Sequence, residues 1–461
     1  MSTLLSHVSV APHAGRAILD AASQEVIGYA PEHTVDDLNT AVAAARAAQP
    51  AWAAHSDGER CRILTAVADD IDVHAEELGR LITREQGKPG GLGEANGAAH
   101  FLRAACDTVL EAAPLADGAE LRYVPLGVVA SIGPWNFPVM IAVWHIAPAL
   151  RMGNAVVIKP SEHTPLSVLA LIDIFNRHLP PGVLTAISGD REVGAALSSH
   201  ADLDKIIFTG STATGRKIVE SSARNLARLT LELGGNDAGI VLPGANVADI
   251  ADRLFWGAFM NTGQVCAALK RVYVHDSVYD DLVDALAERA RTTPMGPGLE
   301  PGNKLGPVQN AEQFEIVARL VDDARARGAR VVAGGEPAAE LGPLFYRTTI
   351  VADIDNDADL VQQEQFGPAL PLVRYSDVET ALELANGTDQ GLGASVWGPD
   401  EEEAMRVADR LEAGTVWINR HGGLHPQVPF GGTKSSGYGL EFGVEGLKAM
   451  AATKVIRRPA G

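Results

Sequence analysis

Three short stretches of the chain carry side chains that could perform chemistry together. Cys266 ends the segment Asn261-Thr-Gly-Gln-Val-Cys266, Glu232 stands between two leucines, and Asn136 is flanked by prolines. A cysteine thiolate can attack an electrophilic carbon, a buried carboxylate can take a proton from water, and an amide can stabilise developing negative charge. Taken singly, each has an ordinary structural explanation: a small buried thiol, a strand-end carboxylate that reaches solvent, or a proline-locked turn.

Two further segments could bind a phosphate-containing ligand. Phe208-Thr-Gly-Ser-Thr-Ala-Thr-Gly215 runs from an apolar strand into a helix whose free N–H groups could meet a pyrophosphate, but it has neither the P-loop nor the dinucleotide fingerprint. A plain strand–turn–helix explains this segment equally well. Lys159 and Glu162 follow another predicted strand, at the end of a parallel sheet where ligands bind, and a carboxylate there could accept ribose hydroxyls. Two unrelated charges in a solvated loop are the alternative.

The composition is that of a globular protein and narrows the range of partners. Of 461 residues, 46% are hydrophobic, and the formal net charge of −20 argues against nucleic acid or an anionic membrane as the main partner. Cys61, Cys106 and Cys266 form no disulfide framework and have no metal-ligand spacing, so we expect no metal centre and a reducing, cytoplasmic location. We expect no signal peptide, and the apolar stretch from 124 to 150 is interrupted by prolines, as in a buried core.

The elements that must position these residues alternate between short apolar strands and helices, which predicts an α/β protein with two doubly wound open sheets. The strands are predicted at Gly127–Ile132, Asn154–Ile158, Leu184–Ser188, Lys205–Thr209, Ala238–Leu242, Arg271–His275, Arg330–Ala333, Ala394–Trp397 and Gly414–Asn419. The helices are predicted at Thr34–Ala54, Glu59–Gln86, Pro165–Arg177, Val278–Arg291 and Ala311–Arg327. Two isolated strand-like pieces, Glu120–Tyr123 and Thr453–Arg457, lie outside this alternation.

The order of the motifs along the chain resembles the signature series of the aldehyde dehydrogenase superfamily, and the resemblance covers the chain from about Ala41 to Val455. The series comprises Pro134-Trp-Asn-Phe-Pro138, Lys159-Pro-Ser-Glu162, Phe208-Thr-Gly-Ser211, Leu231-Glu-Leu-Gly-Gly235, Gly263-Gln-Val-Cys266, Glu364-Gln-Phe-Gly-Pro368 and Pro429-Phe-Gly-Gly432 with Lys434 and Ser436-Gly437.

The resemblance implies a role for each matching residue. It implies that Cys266 is the nucleophile, Glu232 the general base for a hydrolytic water, and Asn136 the side-chain donor to the oxyanion, beside the Cys266 backbone N–H. The cofactor contacts that it implies are Ile132, Trp135, Lys159, Glu162, Gly189, Gly210, Ser211, Leu233, Glu364 and Phe366. The implied reaction is oxidation of an aldehyde to a carboxylic acid through a thioester on Cys266. Glu162 favours NAD, since a carboxylate repels a 2′-phosphate, but Lys159 leaves NADP possible.

The implied substrate tunnel is apolar. Its residues would be Met140, Ile141, Trp144, Met260, Leu424 and Phe430. Because none of them is a cation, we expect a neutral aliphatic or aromatic aldehyde rather than an acidic one. The alternatives are a succinate-semialdehyde-type dehydrogenase, a thiol esterase without a redox step, and a non-catalytic relative.

The resemblance also implies an assembly and a domain division. Residues 1–110 and 126–232 would bind the cofactor, 233–438 would form the catalytic domain, and 111–125 with 439–461 would form an arm that joins subunits into a homodimer or homotetramer. Asn236 stands where relatives usually carry lysine, and we expect this difference to alter only the local surface.

Overall fold

The computed structural model describes residues 3–111, 115 and 118–457. The helices are α1 (Thr3–Val8), α2 (Val35–Ala53), α3 (Asp57–Val73), α4 (Ala75–Gln86), α5 (Gly91–Asp107), α6 (Pro138–Arg151), α7 (Pro165–Asn176), α8 (Arg191–Ser199), α9 (Thr212–Ser222), α10 (Val247–Phe259), α11 (Tyr279–Thr292), α12 (Ala311–Ala326), α13 (Asp359–Gln362), α14 (Val378–Asn386), α15 (Glu401–Ala408) and α16 (Gly443–Ala449).

The strands are β1 (Gly15–Leu19), β2 (Val26–Pro31), β3 (Ala119–Pro125), β4 (Val128–Ile132), β5 (Ala155–Lys159), β6 (Leu184–Ala186), β7 (Lys205–Thr209), β8 (Arg228–Glu232), β9 (Asp237–Val241), β10 (Leu269–His275), β11 (Arg330–Ala333), β12 (Thr349–Ala352), β13 (Ala369–Tyr375), β14 (Gln390–Gly391), β15 (Gly393–Trp397), β16 (Thr415–Ile418), β17 (Thr433–Lys434), β18 (Gly437–Tyr438) and β19 (Ala451–Arg457).

The first large sheet is doubly wound. Its order is β18-β8-β7-β4-β5-β6, and all neighbours are parallel except β18, which runs antiparallel to β8. Alternate residues of β4 enter different apolar clusters: Val128 packs with Val42 of α2, and Val129 packs with Ile146 of α6. Both faces are therefore covered by helices, as expected for parallel strands with near-continuous apolar sequences. The strand order switches between β4 and β7: β5 and β6 lie on one side of β4, and β7 and β8 lie on the other. Ligands bind at such a switch point in open parallel sheets.

The second large sheet has the order β11-β12-β13-β10-β9-β15-β16 and is parallel apart from the β11–β12 pair. Tyr273 of β10 packs into one apolar cluster, while Val272 and Val274 pack into another. This sheet is also covered on both faces. The predicted α/β class with two doubly wound open sheets is confirmed.

The two isolated strand-like segments pair with each other. β3 and β19 form a two-stranded antiparallel ribbon in which Ala119 lies opposite Arg457 and Pro125 opposite Ala451. Part of the predicted arm, residues 112–114, 116–117 and 458–461, lies outside the described residues. The division into domains stays a prediction.

Two helices are oriented by buried glutamates at their N-termini. Glu94 accepts hydrogen bonds from the main-chain N–H groups of Val139 and Met140, at 2.8 and 3.0 Å, in the first turn of α6. Glu85 accepts bonds from the N–H groups of Leu166 and Ser167 in α7, at 2.6 and 2.8 Å. These carboxylates satisfy free donors at the positive end of each helix dipole. Because α6 follows Asn136 directly, Glu94 helps to fix the position of that residue.

The predicted helix Glu59–Gln86 is interrupted in the structure. His74 ends α3 and precedes α4, and its ring nitrogen Nδ1 lies 2.9 Å from the Asp70 carbonyl oxygen. Within the described chain, no helix is long and apolar enough to cross a membrane.

Candidate active site

The loop before Cys266 has a strained backbone. Asn261 and Thr262 have positive φ angles of 51° and 58°, and Gly263 follows with φ of 76°. This conformation is costly for a branched residue, and Thr262 is held in it by hydrogen bonds between its hydroxyl and the main chain of Gly306, at 3.0 and 3.1 Å. A Cβ atom at Gly263 would lie 2.2 Å from a carbonyl oxygen, so glycine is required. The residues before Cys266 thus serve to shape the loop.

Cys266 is half-buried in an apolar setting ringed by carboxylates. Burial and the negative charges of Glu364, Glu232 and Asp237 raise the pKa of the Cys266 thiol to about 12. The protonated thiol is therefore the resting form near neutral pH, and attack requires that the proton be removed. The apolar cluster against which Cys266 packs consists of Ala267, Leu392, Trp417, Leu424, Phe430 and Phe442.

Asn136 is buried and tied to the cysteine loop. Its side-chain Nδ2 donates to the carbonyl oxygen of Gln264 at 3.0 Å, two residues before Cys266. The main-chain carbonyl oxygen of Asn136 accepts hydrogen bonds from Lys88 Nζ at 2.7 Å and from Asn261 Nδ2 at 3.1 Å. These bonds preorganise the amide beside the thiol, which is the arrangement that an oxyanion donor needs.

Glu232 is the last residue of β8 and is 4% exposed. Neither oxygen of its carboxyl group has a hydrogen-bond partner among the described residues. Burial, and then the nearby carboxylate of Glu441, raises the pKa of Glu232 well above its ordinary value. These surroundings disfavour the anionic form of the Glu232 carboxyl group, so its carboxylate is a stronger base. A stronger base suits removal of a proton from water. The structure thus brings both Asn136 and Glu232 to Cys266.

Glu441 and His145 extend this polar region into the interior. From the sequence, His145 is expected at most to add polarity near the tunnel, and Glu441 has no predicted role. Glu441 Oε1 lies 3.3 Å from His145 Nε2, and both side chains are almost fully buried. The same nitrogen lies 2.9 Å from Thr209 Oγ1, and His145 Nδ1 lies 2.8 Å from Ser131 Oγ. The signal in the sequence was Leu440-Glu441-Phe442, a carboxylate between two large apolar residues, as at Glu232.

Most of the predicted cofactor residues lie at or just after the carboxyl ends of strands in the first sheet. Ile132 lies in register with Lys159 on one side and with Phe208 on the other, and Thr209 lies beside Glu232. The four strands therefore present their ends, and the loops that follow, to one edge. This edge includes the point between β4 and β7 where the strand order switches, and open parallel sheets bind nucleotides at such a point.

Lys159 and Glu162 lie together at this edge. Lys159 is buried, its Nζ is 3.5 Å from Glu162 Oε1, and burial lowers its pKa. Arg16 donates to the main-chain oxygen of Glu162 at 3.0 Å and so fixes this loop without neutralising the carboxylate. Among the described residues, the Lys159 ammonium makes long contacts of 3.5 Å to Glu162 Oε1 and to the Pro160 carbonyl oxygen, so it retains a donor for a further acceptor.

Small residues leave room along the same edge. A Cβ atom at Gly189 would lie 2.8 Å from Val193, and one at Gly210 would lie 2.5 Å from the Phe208 ring. Ser211 caps α9, because its hydroxyl accepts the Thr214 N–H at 3.3 Å. The buried Leu233 packs on Gly215, where a Cβ atom would lie 2.6 Å from Leu233 Cδ2.

Glu364 contacts the turn that joins β8 to β9, and Trp135 contacts Phe366. Glu364 accepts the Gly235 N–H at 3.2 Å, and burial raises its pKa to about 7 although the positive charge of Lys270 opposes this. The rings of Trp135 and Phe366 meet edge to face with centroids 5.2 Å apart. Lys270, which the sequence analysis did not single out, has its ammonium 5.2 Å from the Phe366 ring centroid, and burial lowers its pKa to about 8.

An aromatic wall leads towards Cys266. The ring centroids of Trp144 and Phe442 lie 4.9 Å apart, and the stacked rings of Phe442 and Phe430 have centroids 6.3 Å apart. Phe101 contacts both Trp144 and Phe442. Phe101, Trp144 and Phe442 also line a small cavity.

The other predicted tunnel residues differ in their burial and in their contacts. Leu424 packs with Phe430 around Cys266. Met140 is half-buried, and its methyl group would lie 2.6 Å from a Cβ atom at Gly97. Ile141 is buried, whereas Met260 is 48% exposed. The assignment of these residues to a tunnel stays a prediction.

The expectation for Asn236 was wrong. Its side chain is buried rather than part of the surface, its Nδ2 donates to the Val361 carbonyl oxygen at 2.9 Å, and its own carbonyl accepts Arg271 Nε at 2.9 Å. Asn236 therefore joins β9 to the segment that precedes Glu364. A lysine ammonium would need a different set of partners in this buried position.

Comparison with known proteins decides the family. The family model described as "Aldehyde dehydrogenase family" matches residues 11–456 of the chain. The chain belongs to this family. It is 38% identical to phenylacetaldehyde dehydrogenase of Pseudomonas fluorescens over 459 residues, covering 95% of this chain and 91% of the relative. It is 37% identical to geranial dehydrogenase of Castellaniella defragrans, covering 95% and 94% of the two chains.

A solved structure agrees with this aldehyde dehydrogenase fold. Betaine aldehyde dehydrogenase of Staphylococcus aureus, in complex with NAD⁺, superposes with a TM-score of 0.92 at 32% identity, covering 98% of this chain and 95% of the other. The present chain is thus an enzyme that oxidises an aldehyde to a carboxylic acid. The resemblance inferred from the motifs is confirmed.

Proposed function

We propose that this aldehyde dehydrogenase oxidises a neutral aliphatic or aromatic aldehyde with NAD, through a thioester on Cys266. The observation that carries the proposal is the wall formed by Trp144, Phe442, Phe430 and Leu424, which is apolar and reaches Cys266. An aldehyde held along such a wall gains binding energy from the burial of apolar surface. Its carbonyl group is the only part that needs polar contacts.

The first half of the reaction uses Cys266 and Asn136. The Cys266 thiol passes its proton to water, its sulfur bonds to the aldehyde carbon, and the carbonyl oxygen becomes an alkoxide. Asn136 Nδ2, held by its bond to the Gln264 carbonyl, is the side-chain donor to that oxygen. A bound nicotinamide supplies the acceptor for the hydride that leaves the same carbon. The acyl group then remains on Cys266 as a thioester.

The second half of the reaction uses Glu232. Both of its carboxyl oxygens lack protein partners within the described chain, so they can accept hydrogen bonds from water. Its raised pKa makes it a stronger base than an exposed glutamate. Glu232 takes a proton from water, the water oxygen attacks the thioester carbon, and the carbon–sulfur bond breaks. The acid leaves, and the sulfur of Cys266 is regenerated.

The residues at the carboxyl edge of the first sheet fit a nicotinamide dinucleotide. Lys159 retains donors for ribose or phosphate oxygens, and Glu162, whose Oε1 lies 3.5 Å from Lys159 Nζ, has a second carboxylate oxygen that can accept ribose hydroxyls. Gly234 leaves space for Glu364, since a Cβ atom there would lie 2.3 Å from Glu364 Oε2. A 2′-phosphate would place negative charge beside Glu162, which favours NAD over NADP. The NAD⁺ complex of the S. aureus relative supports the same choice.

The apolar wall argues against an acidic aldehyde. A succinate-semialdehyde-type substrate would require a cation to meet its distal carboxylate. None of the residues in the wall is charged. The relatives named for phenylacetaldehyde and geranial also support a neutral substrate.

An absorbance assay at the NADH band tests this proposal and its alternatives. The purified enzyme is given short aliphatic, long aliphatic and aromatic aldehydes, and succinate semialdehyde, each with NAD and with NADP. We expect the highest kcat/KM for a long aliphatic or aromatic aldehyde with NAD. Preference for succinate semialdehyde would refute the substrate class. Ester hydrolysis without nicotinamide reduction on any aldehyde would favour a thiol esterase instead.

We further propose a homodimer or homotetramer in the cytoplasm. The β3–β19 ribbon supports the assembly, because a two-stranded ribbon is marginal alone and leaves two strand edges for pairing. Light scattering coupled to gel filtration tests it, and a monomeric mass at micromolar concentration would refute it.

A further inference from the structure

Two cysteines that the proposed reaction does not use face each other across two packed helices. Cys61 lies on α3 and Cys106 on α5, 45 positions apart in the chain. Cys61 Sγ lies 3.9 Å from the Cys106 carbonyl oxygen, and Cys106 Sγ lies 3.8 Å from the Cys61 carbonyl oxygen. This reciprocal contact brings both sulfur atoms into one small space between the helices.

The surroundings of this pair hold two guanidinium groups and one carboxylate, because Arg151 is also paired with Asp57 at 3.1 Å. Arg151 lies beside it and donates to the carbonyl oxygens of Ala105 and Thr108, on either side of Cys106. The Arg60 guanidinium donates to the Arg151 carbonyl oxygen at 2.6 Å. Two partly buried guanidinium groups are therefore held against the residues that carry the thiols, where they stabilise negative charge on sulfur.

The two thiols are not equivalent. A hydrogen bond from the Cys106 side chain lowers the pKa of Cys61, and the positive charges of Arg151 and Arg60 act in the same direction. Burial and the negative charge of Asp57 oppose them, but the pKa of Cys61 remains lowered. The pKa of Cys106 is raised, since losing its proton would remove that hydrogen bond and place a second negative charge beside the first. Cys61 is thus the thiol of the pair that loses its proton more readily.

Cys266 has the opposite environment. The carboxylates of Glu364, Glu232 and Asp237 surround it and disfavour its thiolate. An oxidant reacts with a thiolate rather than with a thiol, so in the enzyme without substrate the Cys61–Cys106 pair is the more reactive site. Both residues of the pair are half-buried rather than enclosed, so a small oxidant can reach them.

We propose that Cys61 and Cys106 form a redox-active dithiol that a hydroperoxide converts to a reversible disulfide between α3 and α5, ahead of any oxidation of Cys266. The facing geometry of the two side chains carries the proposal, because a resolving thiol must reach the oxidised sulfur without a rearrangement of the backbone.

The chemistry balances with a hydroperoxide as the oxidant. The Cys61 thiolate sulfur bonds to one peroxide oxygen, the oxygen–oxygen bond breaks, and the leaving oxygen takes up a proton, which gives Cys61 sulfenic acid and water or an alcohol. The Cys106 sulfur then attacks the Cys61 sulfur, and the sulfur–oxygen bond breaks. The hydroxide leaves as water with the Cys106 proton. The two thiols lose two electrons, and the peroxide gains them.

The test treats the reduced full-length enzyme with one equivalent of hydrogen peroxide, followed by thiol counting and mass spectrometry of non-reduced peptides. We expect the number of free thiols to fall from three to one, with a Cys61–Cys106 cross-link and an unmodified Cys266. Dithiothreitol should restore all three thiols. Retention of three free thiols, or oxidation of Cys266 first, would overturn the proposal.

Two matched single variants separate the roles of the two sulfurs. Cys106→Ser should accumulate sulfenic acid at Cys61, which dimedone traps, whereas Cys61→Ser should leave Cys106 largely unlabelled. Equal labelling of both variants would refute the assignment of Cys61 as the attacking thiolate. The disulfide should also raise the melting temperature of the wild type, an effect absent from Cys106→Ser, because it closes a long loop between two helices. A melting temperature that peroxide leaves unchanged in the cross-linked wild type would count against a link between α3 and α5.

Discussion

Glu441 lies between the predicted general base and a buried histidine: its Oε1 is 3.3 Å from His145 Nε2, and its negative charge raises the pKa of Glu232. Two carboxyl groups in one water-poor space cannot both ionise freely. The basicity of Glu232 therefore depends partly on a residue more than 200 positions further along the chain.

The variant Glu441→Gln should move the pH dependence of hydrolysis. Without the negative charge of Glu441, the pKa of Glu232 falls and its base form persists to lower pH. The acidic limb of the profile of kcat against pH therefore shifts to lower pH. The pH profile of steady-state NADH formation measures this shift. Glu445→Gln, an exposed change four residues away, is the control and should leave the profile in place. An unchanged acidic limb in Glu441→Gln would show that the two carboxyl groups do not interact.

The variant Glu232→Gln should stall the enzyme after the redox step. A glutamine cannot take a proton from water, so the thioester on Cys266 accumulates while the first turnover still yields NADH. A burst of about one NADH per active site and an acyl adduct on the intact protein are the expected signals. Normal steady-state turnover without an adduct would remove Glu232 from the mechanism.

The variant Glu162→Gln should weaken the preference for NAD. Removal of the carboxylate relieves its repulsion of a 2′-phosphate and removes an acceptor for the ribose hydroxyls. The ratio of kcat/KM for NADP to that for NAD should rise about tenfold, the effect of roughly 1.4 kcal/mol. Steady-state kinetics with both cofactors measure the ratio. A ratio equal to that of the wild type would mean that Glu162 does not contact the ribose.

The variant Glu94→Gln should destabilise the fold. Glu94 pairs with the buried Lys88 and binds the first N–H groups of α6, so the change leaves a buried ammonium without its counter-charge. The loss of one member of a buried pair costs about 3–5 kcal/mol of unfolding free energy. Urea denaturation measures the loss, with the exposed Glu25→Gln as a control that should behave like the wild type. A loss below about 1 kcal/mol would mean that Lys88 finds another partner.

Much of this architecture could be predicted from local sequence. Lys205–Thr209 is a strand with the predicted bounds, and the ends of the neighbouring strands meet because parallel strands present their carboxyl ends at one edge. The positions of Cys266, Glu232 and Asn136 could be chosen in advance because their motifs occur in a fixed order.

Other features depend on contacts between distant segments and could not be read locally. Glu441 gains its significance only when β18 brings the C-terminal segment beside β8. Asn236 looked like a surface residue because its partners, Val361 and Arg271, lie far away in the chain. The facing of Cys61 and Cys106 likewise follows from the packing of α3 on α5, which no spacing of residues indicates.

The variant Cys266→Ala tests the central claim most directly. With the variant saturated with an aldehyde that the wild type oxidises, NAD binding is measured by calorimetry and NADH formation by absorbance. We predict that NAD binds with an affinity close to that of the wild type while NADH formation is abolished, because the sulfur that receives the aldehyde is gone. Undiminished aldehyde-dependent NADH formation by Cys266→Ala would contradict the whole account.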